Sequence, residues 1–296
     1  MRKLSILLCC SVLSIFLVAC KTSKSSFSSS DLPDNVANST SESTSADKDG
    51  SVENMTITIS ITDWDNITRE TIPIESEGTY TGEMIDGMPE GYGVFTATNA
   101  EGISWTYTGE FKNGRFHGQG TTVWDDADSY SESGTYTDGQ YTPTIAELFD
   151  TLGSTAVAPY SISKKSFEFI QNNQDIFPAI SEESQEQATS LIKQDLTYPM
   201  LTKTLNGHEE ELYSCSDATA TQVMEEFLFG HTVTTIIAVD KDRNYYYILH
   251  GGELPDVYDN TPISFYGLAV STSGYENVGG GTTNVIVLLS SNITVI

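Results

Sequence analysis

Apolar and polar residues alternate in one stretch of the chain, and this alternation predicts a β-strand. Ile57, Ile59 and Ile61 alternate with threonine and serine from Met55 onward, which is the period of a half-buried β-strand. Strand-forming segments then continue to about residue 143, broken by Asp-Gly and Asn-Gly pairs. Such pairs favour tight hairpins, so the pattern predicts an antiparallel β meander over residues 51–143.

Short helical patterns follow the meander. Thr144 and Glu147 have the spacing of a capping box, which predicts a short helix that closes the meander and ends near Gly153. Ser163 is placed to cap a helix over residues 164–171, and Ser181 to cap one over residues 182–196. These segments predict a helical connector over residues 144–198.

The last third of the chain returns to strand-forming sequence. Strands are predicted at 212–227, 232–239, 245–249, 263–270 and 285–289, although residues 218–229 also fit a helix. The five strands, with Tyr266-Gly267 and the triple glycine at 279–281, resemble the small OB-like barrels attached to surface lipoproteins of Gram-positive bacteria. That resemblance implies a five-stranded OB-like barrel over residues 199–296, a fold that commonly binds oligonucleotides or sugars. The fold class predicted for the whole chain is mainly β, with a few helices.

A glycine-rich motif occurs twice in the meander, 27 residues apart, beginning at Tyr80 and at Tyr107. Asp86-Gly87 and Asn113-Gly114 supply the positive φ that hairpin turns need, and each Gly-x-Gly pair leaves room for an aromatic ring on the backbone. A degenerate third copy at 134–139 keeps the turn but lacks the Gly-x-Gly pair. The predicted structural turn glycines are Gly82, Gly87, Gly91, Gly93, Gly109, Gly114, Gly118 and Gly120.

Both copies resemble the MORN repeat, whose pattern is Tyr-x-Gly-Glu-x-x-x-Gly-x-x-x-Gly-x-Gly. The resemblance implies a twisted antiparallel sheet that acts as a scaffold or contacts protein or lipid, and it implies no catalysis. Aromatic residues in the repeats offer a candidate surface for a protein or a cell-wall glycan, if half of them face solvent. The alternative is that the rings only hold the array together. The candidate binding surface comprises Tyr80, Tyr92, Trp105, Tyr107 and Trp124.

The amino terminus has the form of a secretory signal. An apolar run over residues 4–18 follows Arg2 and Lys3, and the segment from Leu17 to Cys20 resembles the lipobox of bacterial lipoproteins. The resemblance implies a signal peptide over residues 1–19, cleavage before Cys20, and a diacylglycerol thioether on Cys20. The protein is then expected at the extracellular face of the bacterial cell membrane, with the membrane as its partner through the lipid. The alternative is an uncleaved spanning anchor, but the run is short of the ~20 residues that a spanning helix needs.

Residues 20–50 are mainly serine, threonine, asparagine and aspartate, which predicts a disordered tether and leaves glycosylation open. The net charge of −27 falls to −29 when Arg2 and Lys3 leave with the signal. Such acidity argues against nucleic-acid binding and against electrostatic attraction to anionic lipid. Cys9 and Cys10 also leave with the signal, so Cys215 is the single unmodified thiol of the mature chain and forms no internal disulfide.

Candidate chemistry is sparse. Asp240, Asp242 and Asn244 begin like a calcium loop, but Tyr245 occupies the position that needs glycine, so a polar turn is predicted. Acidic clusters at 63–66 and 125–128 have the same interpretation, with weak calcium binding as the alternative. The four histidines lack ligand spacing, and no metal or cofactor is predicted.

The sequence contains no nucleophile elbow and no phosphate loop. It therefore predicts a non-catalytic scaffold or binding lipoprotein. The alternative is a cell-wall enzyme acting on glycan, or an accessory domain of one. A solute-capturing transporter lipoprotein is disfavoured, since the sequence shows no pair of α/β lobes.

Overall fold

A computed structural model describes residues 49–65, 68–125, 131–277 and 279–296. The predicted signal peptide, nearly all of the predicted tether and Cys20 lie outside these residues. The described strands are β1 (Gly50–Asp65), β2 (Glu70–Ile85), β3 (Met88–Thr98), β4 (Ser104–Lys112), β5 (Arg115–Trp124), β6 (Ser131–Thr137), β7 (Gln140–Tyr141), β8 (Leu212–Leu228), β9 (His231–Asp240), β10 (Tyr245–His250), β11 (Pro262–Glu276) and β12 (Thr282–Val295). The described helices are α1 (Ile145–Leu152), α2 (Lys164–Asn172), α3 (Glu182–Ser190) and α4 (Tyr198–Lys203). The predicted fold class is confirmed.

Strands β1 to β7 form one antiparallel sheet in chain order, which confirms the predicted meander. The first strand begins at Gly50, ahead of the predicted start near Met55. The sheet curls so far that β1 meets the last hairpin, where the Thr62 N–H donates to the Gly139 carbonyl at 3.0 Å. Aromatic side chains fill the inside of the curl.

The helical segments agree with their predicted caps but not with every predicted length. Thr144 and Glu147 form the complete capping box of α1, and Ser163 and Ser181 cap α2 and α3. The third helix ends at Ser190 instead of continuing to 196, because Ile192 leaves the helix and makes a parallel bridge to Leu212. Sequence reasoning missed α4, which has six residues and a proline in its first turn.

Strands β8 to β12 close into a barrel in the order β10-β12-β11-β8-β9. The β10–β12 pair is parallel and the other pairs are antiparallel. Because residues 212–228 form one strand, the helical alternative for 218–229 is wrong. The barrel interior holds one hydrophobic core, capped by Leu201 of α4, and a second core lies between the outer barrel face and helices α1 to α3.

Among the described helices, none combines the length and the apolarity required to span a membrane.

Candidate functional site

Each repeat copy is built around one tyrosine that lies across glycines of two paired strands. A Cβ on Gly93 would lie 2.6 Å from the ring of Tyr80, and a Cβ on Gly120 would lie 2.5 Å from the ring of Tyr107. No side chain fits at such distances, so the Gly-x-Gly pair exists to admit the ring. This confirms the prediction that aromatic rings lie on the glycine backbone.

The hydroxyl groups of the same two tyrosines are held by hydrogen bonds to the backbone. Tyr80 donates to the Glu83 carbonyl at 2.8 Å, and Tyr107 donates to the Glu110 carbonyl at 2.8 Å. At both places the strand register shifts, so the hydroxyl satisfies a carbonyl at a β-bulge. Burial raises the pKa of Tyr80 to about 12 and raises that of Tyr107 further, which keeps both hydroxyls protonated as donors.

The eight glycines divide into three groups. Gly87 and Gly114 have φ of +74° and +77° in hairpin turns, as predicted. Gly91 and Gly118 have φ of +67° and +59° within strands, where the Glu83 and Glu110 carboxylates approach them. The turn prediction is wrong for the remaining four, which lie inside strands where an added Cβ would collide with a tyrosine ring or the paired strand: Gly82, Gly93, Gly109 and Gly120.

The predicted aromatic binding surface is wrong for three of its five members. Tyr80, Trp105 and Tyr107 are buried inside the curled sheet, because alternate strand residues face the same side and that side is the core. Tyr92 is 67% exposed, and Trp124 is partly exposed. The buried rings pack against each other, with Tyr107 stacked on Phe116 at a centroid distance of 3.8 Å, so they stabilise the array instead of offering ring faces to a partner.

The opposite side of the sheet carries rows of hydroxyl groups. Thr96 and Thr106 on neighbouring strands are hydrogen-bonded at 3.0 Å, and Thr121 and Ser133 at 2.5 Å. We call this side the outer hydroxyl face; its paired members are Thr96, Thr98, Ser104, Thr106, Thr121, Ser133, Thr137 and Thr142. The exposed ring of Tyr92 also lies outside the sheet core.

Helix α1 ends the array and supplies a carboxylate that the third repeat copy lacks. In this degenerate copy, Thr135 occupies the position of Glu83 and Glu110 in the complete copies. The side chain of Glu147 lies against Gly134, and one of its oxygens accepts the Thr135 N–H at 3.2 Å. The same carboxylate accepts the Thr144 N–H at 2.8 Å in the capping box, so one buried group caps both the helix and the sheet.

The curled sheet and the barrel are packed together through aromatic rings. The β8–β9 hairpin places Phe229 edge-on to Tyr141 with centroids 5.1 Å apart, and Phe227 edge-on to Trp64 at 5.4 Å. Gly230 at the hairpin tip lies against the Trp64 indole, where an added Cβ would be 2.7 Å away. These contacts hold the two modules in a defined orientation.

A polar chain runs through one end of the barrel. The hydroxyls of Tyr213 and Tyr246 are 2.9 Å apart, and Tyr246 donates to the Asp240 carboxylate at 2.9 Å. Burial raises the pKa of Asp240, but hydrogen bonds donated by Asn244, Tyr246 and Asp242 outweigh burial and lower it overall. The Asp240 carboxylate is therefore engaged within the turn, which agrees with the prediction of a polar hairpin turn.

The described residues contain no group of three or more histidine, cysteine or acidic side chains arranged to hold a metal ion. Cys215 is buried, and burial raises the pKa of its thiol, which keeps the thiol protonated and weakly nucleophilic.

His250 lies in a second buried polar cluster, where β10 meets β12. Its Nδ1 is 2.8 Å from the Ser290 hydroxyl, and the imidazole is 6% exposed. Burial lowers the pKa of His250 to about 4, so the ring is neutral at physiological pH. Ser290 also donates to the Leu249 carbonyl at 3.3 Å. The barrel backbone therefore holds the Ser290 hydroxyl in place beside His250.

A groove of about 230 Å³ lies on the outside of the barrel. It lies on strands β8, β11 and β12, and its centre is Tyr266, which pairs in register with Ser214 on one side and Asn292 on the other. We call it the barrel groove; its lining residues are Ser214, Cys215, Ser216, Ser264, Phe265, Tyr266, Asn292 and Thr294. Sequence reasoning noted Tyr266 only as part of a fold resemblance and named no other lining side chain as a site, since residues from three distant segments form the groove.

Comparison with known proteins identifies one part of the chain. The model of the MORN repeat matches residues 80–99 and 107–129, which are the two complete copies. No curated protein matches the chain. The chain therefore carries MORN repeats within its seven-stranded curled sheet, and a closed five-stranded barrel follows them.

Proposed function

We propose that this protein is a non-catalytic binding or scaffold lipoprotein at the extracellular face of a bacterial cell membrane. Diacylglycerol on Cys20 holds it there, and residues 20–50 tether the folded modules. The OB-like barrel and the MORN-repeat sheet together present surfaces to a protein or cell-wall glycan partner. MORN repeats usually serve as binding or scaffold modules, which supports this role.

The observation that carries the proposal is the arrangement of the sheet. Most of its aromatic rings are buried in the core, whereas its outer hydroxyl face and the ring of Tyr92 lie on the outside. The aromatic contact between Phe229 and Tyr141 holds that face in a fixed orientation to the barrel. A pre-oriented surface loses little conformational freedom when a partner binds, which favours binding.

The lipid anchor is tested by mass spectrometry of the mature amino terminus. We expect the chain to begin at Cys20 and to carry the mass of a diacylglycerol. The Cys20→Ser variant should remain unprocessed at this site. A processed chain with an unmodified Cys20 would refute the anchor.

The binding role is tested by capture from cell-wall and membrane fractions with the full chain in mild detergent. Tyr92→Ala should reduce capture of a partner that contacts the sheet, since a truncated hot-spot side chain costs on the order of 2 kcal/mol. Tyr258→Ala is the matched control, because Tyr258 is also 67% exposed but lies on the barrel module. Equal capture by both variants and the wild type would exclude Tyr92 from the interface, and no specific capture by the wild type would contradict the proposed function.

A further inference from the structure

The outer barrel face changes character beside the barrel groove. Leu212, Leu268 and Leu289 pair across β8, β11 and β12 and are buried beneath the helices. The helical cover ends at this row, where the Leu212 N–H donates to the Leu191 carbonyl. Beyond the row, the same face presents Tyr266 with Ser214 and Asn292 on either side.

The barrel groove is uncharged in a very acidic protein. The chain has 41 aspartate and glutamate residues, yet none of the eight lining residues carries a charged side chain. A neutral ligand avoids the repulsion that the rest of the surface exerts on an anion, and a cation finds no carboxylate in the groove to pair with.

The polar side chains of the groove have hydrogen-bonding capacity left over. Within the part of the chain that the structure describes, the side chains of Ser214, Ser264, Tyr266, Asn292 and Thr294 make no hydrogen bond to another residue. Hydroxyls both donate and accept, and the amide of Asn292 does the same through separate atoms. The groove therefore offers alternating donors and acceptors around one aromatic ring.

We infer that the barrel groove binds one pyranose ring of a neutral oligosaccharide. The ring of Tyr266 provides an apolar surface for the C–H face of the sugar, and its own hydroxyl and the Asn292 amide are placed at the sugar's edge. The volume of about 230 Å³ is below the roughly 300–1,000 Å³ of sites for drug-sized ligands, so neighbouring sugars extend beyond the groove. The inference rests on the proposed function and names its glycan partner class.

The experiment is titration calorimetry of the full chain in mild detergent. The probes are cellohexaose and chitohexaose, which are neutral, and a polygalacturonate hexamer, which is anionic. We expect at least one neutral probe to bind and the anionic hexamer to bind at least about tenfold more weakly, because the acidic surface repels it. Absence of binding by both neutral probes at millimolar concentration, or equal binding of the anion, would overturn the inference.

Three variants locate the site. Tyr266→Ala should weaken binding of the neutral probe by at least about tenfold, whereas Tyr266→Phe should weaken it less because the ring remains. Asn292→Asp keeps the shape and places a carboxylate where the amide is, and it provides a second test if Tyr266→Ala unfolds the barrel. Tyr258→Ala is the control, since Tyr258 is exposed on the barrel module but does not line the groove.

Unchanged affinity in both folded Asn292→Asp and folded Tyr266→Ala would also overturn the inference. Failure of this experiment differs from failure of the proposed function. The latter is judged by the lipid on Cys20 and by capture of any partner from wall or membrane fractions.

Discussion

Neutral His250 makes the stability of the protein sensitive to mild acid. Its pKa is about 4 in the folded protein and about 6.5 in the unfolded chain. As the pH falls from about 6.5 to about 4, the unfolded chain takes up a proton that the folded protein does not. The free energy of unfolding therefore falls by about 3 kcal/mol over that range. Each unit of difference between the two pKa values contributes about 1.4 kcal/mol.

The test uses His250→Asn, whose amide is placed to replace Nδ1 at the Ser290 hydroxyl without titrating. Urea unfolding followed by circular dichroism gives the free energy of unfolding of both proteins at pH 7 and pH 4. Other titrating groups cancel between the two, including Asp63 and Asp150, whose pKa values burial raises. We expect the wild type to lose about 3 kcal/mol more than the variant between these pH values. An equal loss in both proteins would refute the role of His250.

Three further predictions concern the repeat array and its contact with the barrel. Gly114→Val should lower the free energy of unfolding by more than ~1 kcal/mol, because valine is strained at φ of +77°. Gly114→Asn should cost less, and equal melting temperatures of Gly114→Val and the wild type would contradict the prediction. Tyr107→Phe should lower the free energy of unfolding by about 1–3 kcal/mol, since the Glu110 carbonyl loses its donor; Tyr92→Phe, at an exposed ring, is the control and should have no effect. Phe229→Ser should separate sheet and barrel into two calorimetric transitions, and a single transition in a folded variant would show that other contacts couple them.

Local sequence rules predicted much of the fold because the signals lie within a few residues of each other. The positive φ of Asp86-Gly87 and Asn113-Gly114 follows from turn chemistry, and the Thr144 cap follows from the spacing to Glu147. The end of α3 was predicted too late because a long-range bridge from Ile192 to Leu212 takes the chain out of the helix.

Which side of the sheet is buried could not be predicted from the repeats alone. Alternation places Tyr80 and Tyr107 on one side, but it does not show that the sheet curls until that side closes. The predicted aromatic surface failed for this reason. The barrel groove was missed because Ser214, Tyr266 and Asn292 come together only through barrel closure.

The contact between Thr62 and Gly139 sets the copy number of the array. An open repeat sheet tolerates the gain or loss of a 27-residue unit, since each unit touches only its neighbours. Here an additional unit would move the last hairpin away from β1, and the hydrogen bond between Thr62 and Gly139 could not form. Length variants of this protein are therefore expected to place insertions in loops, while the number of repeats stays constant.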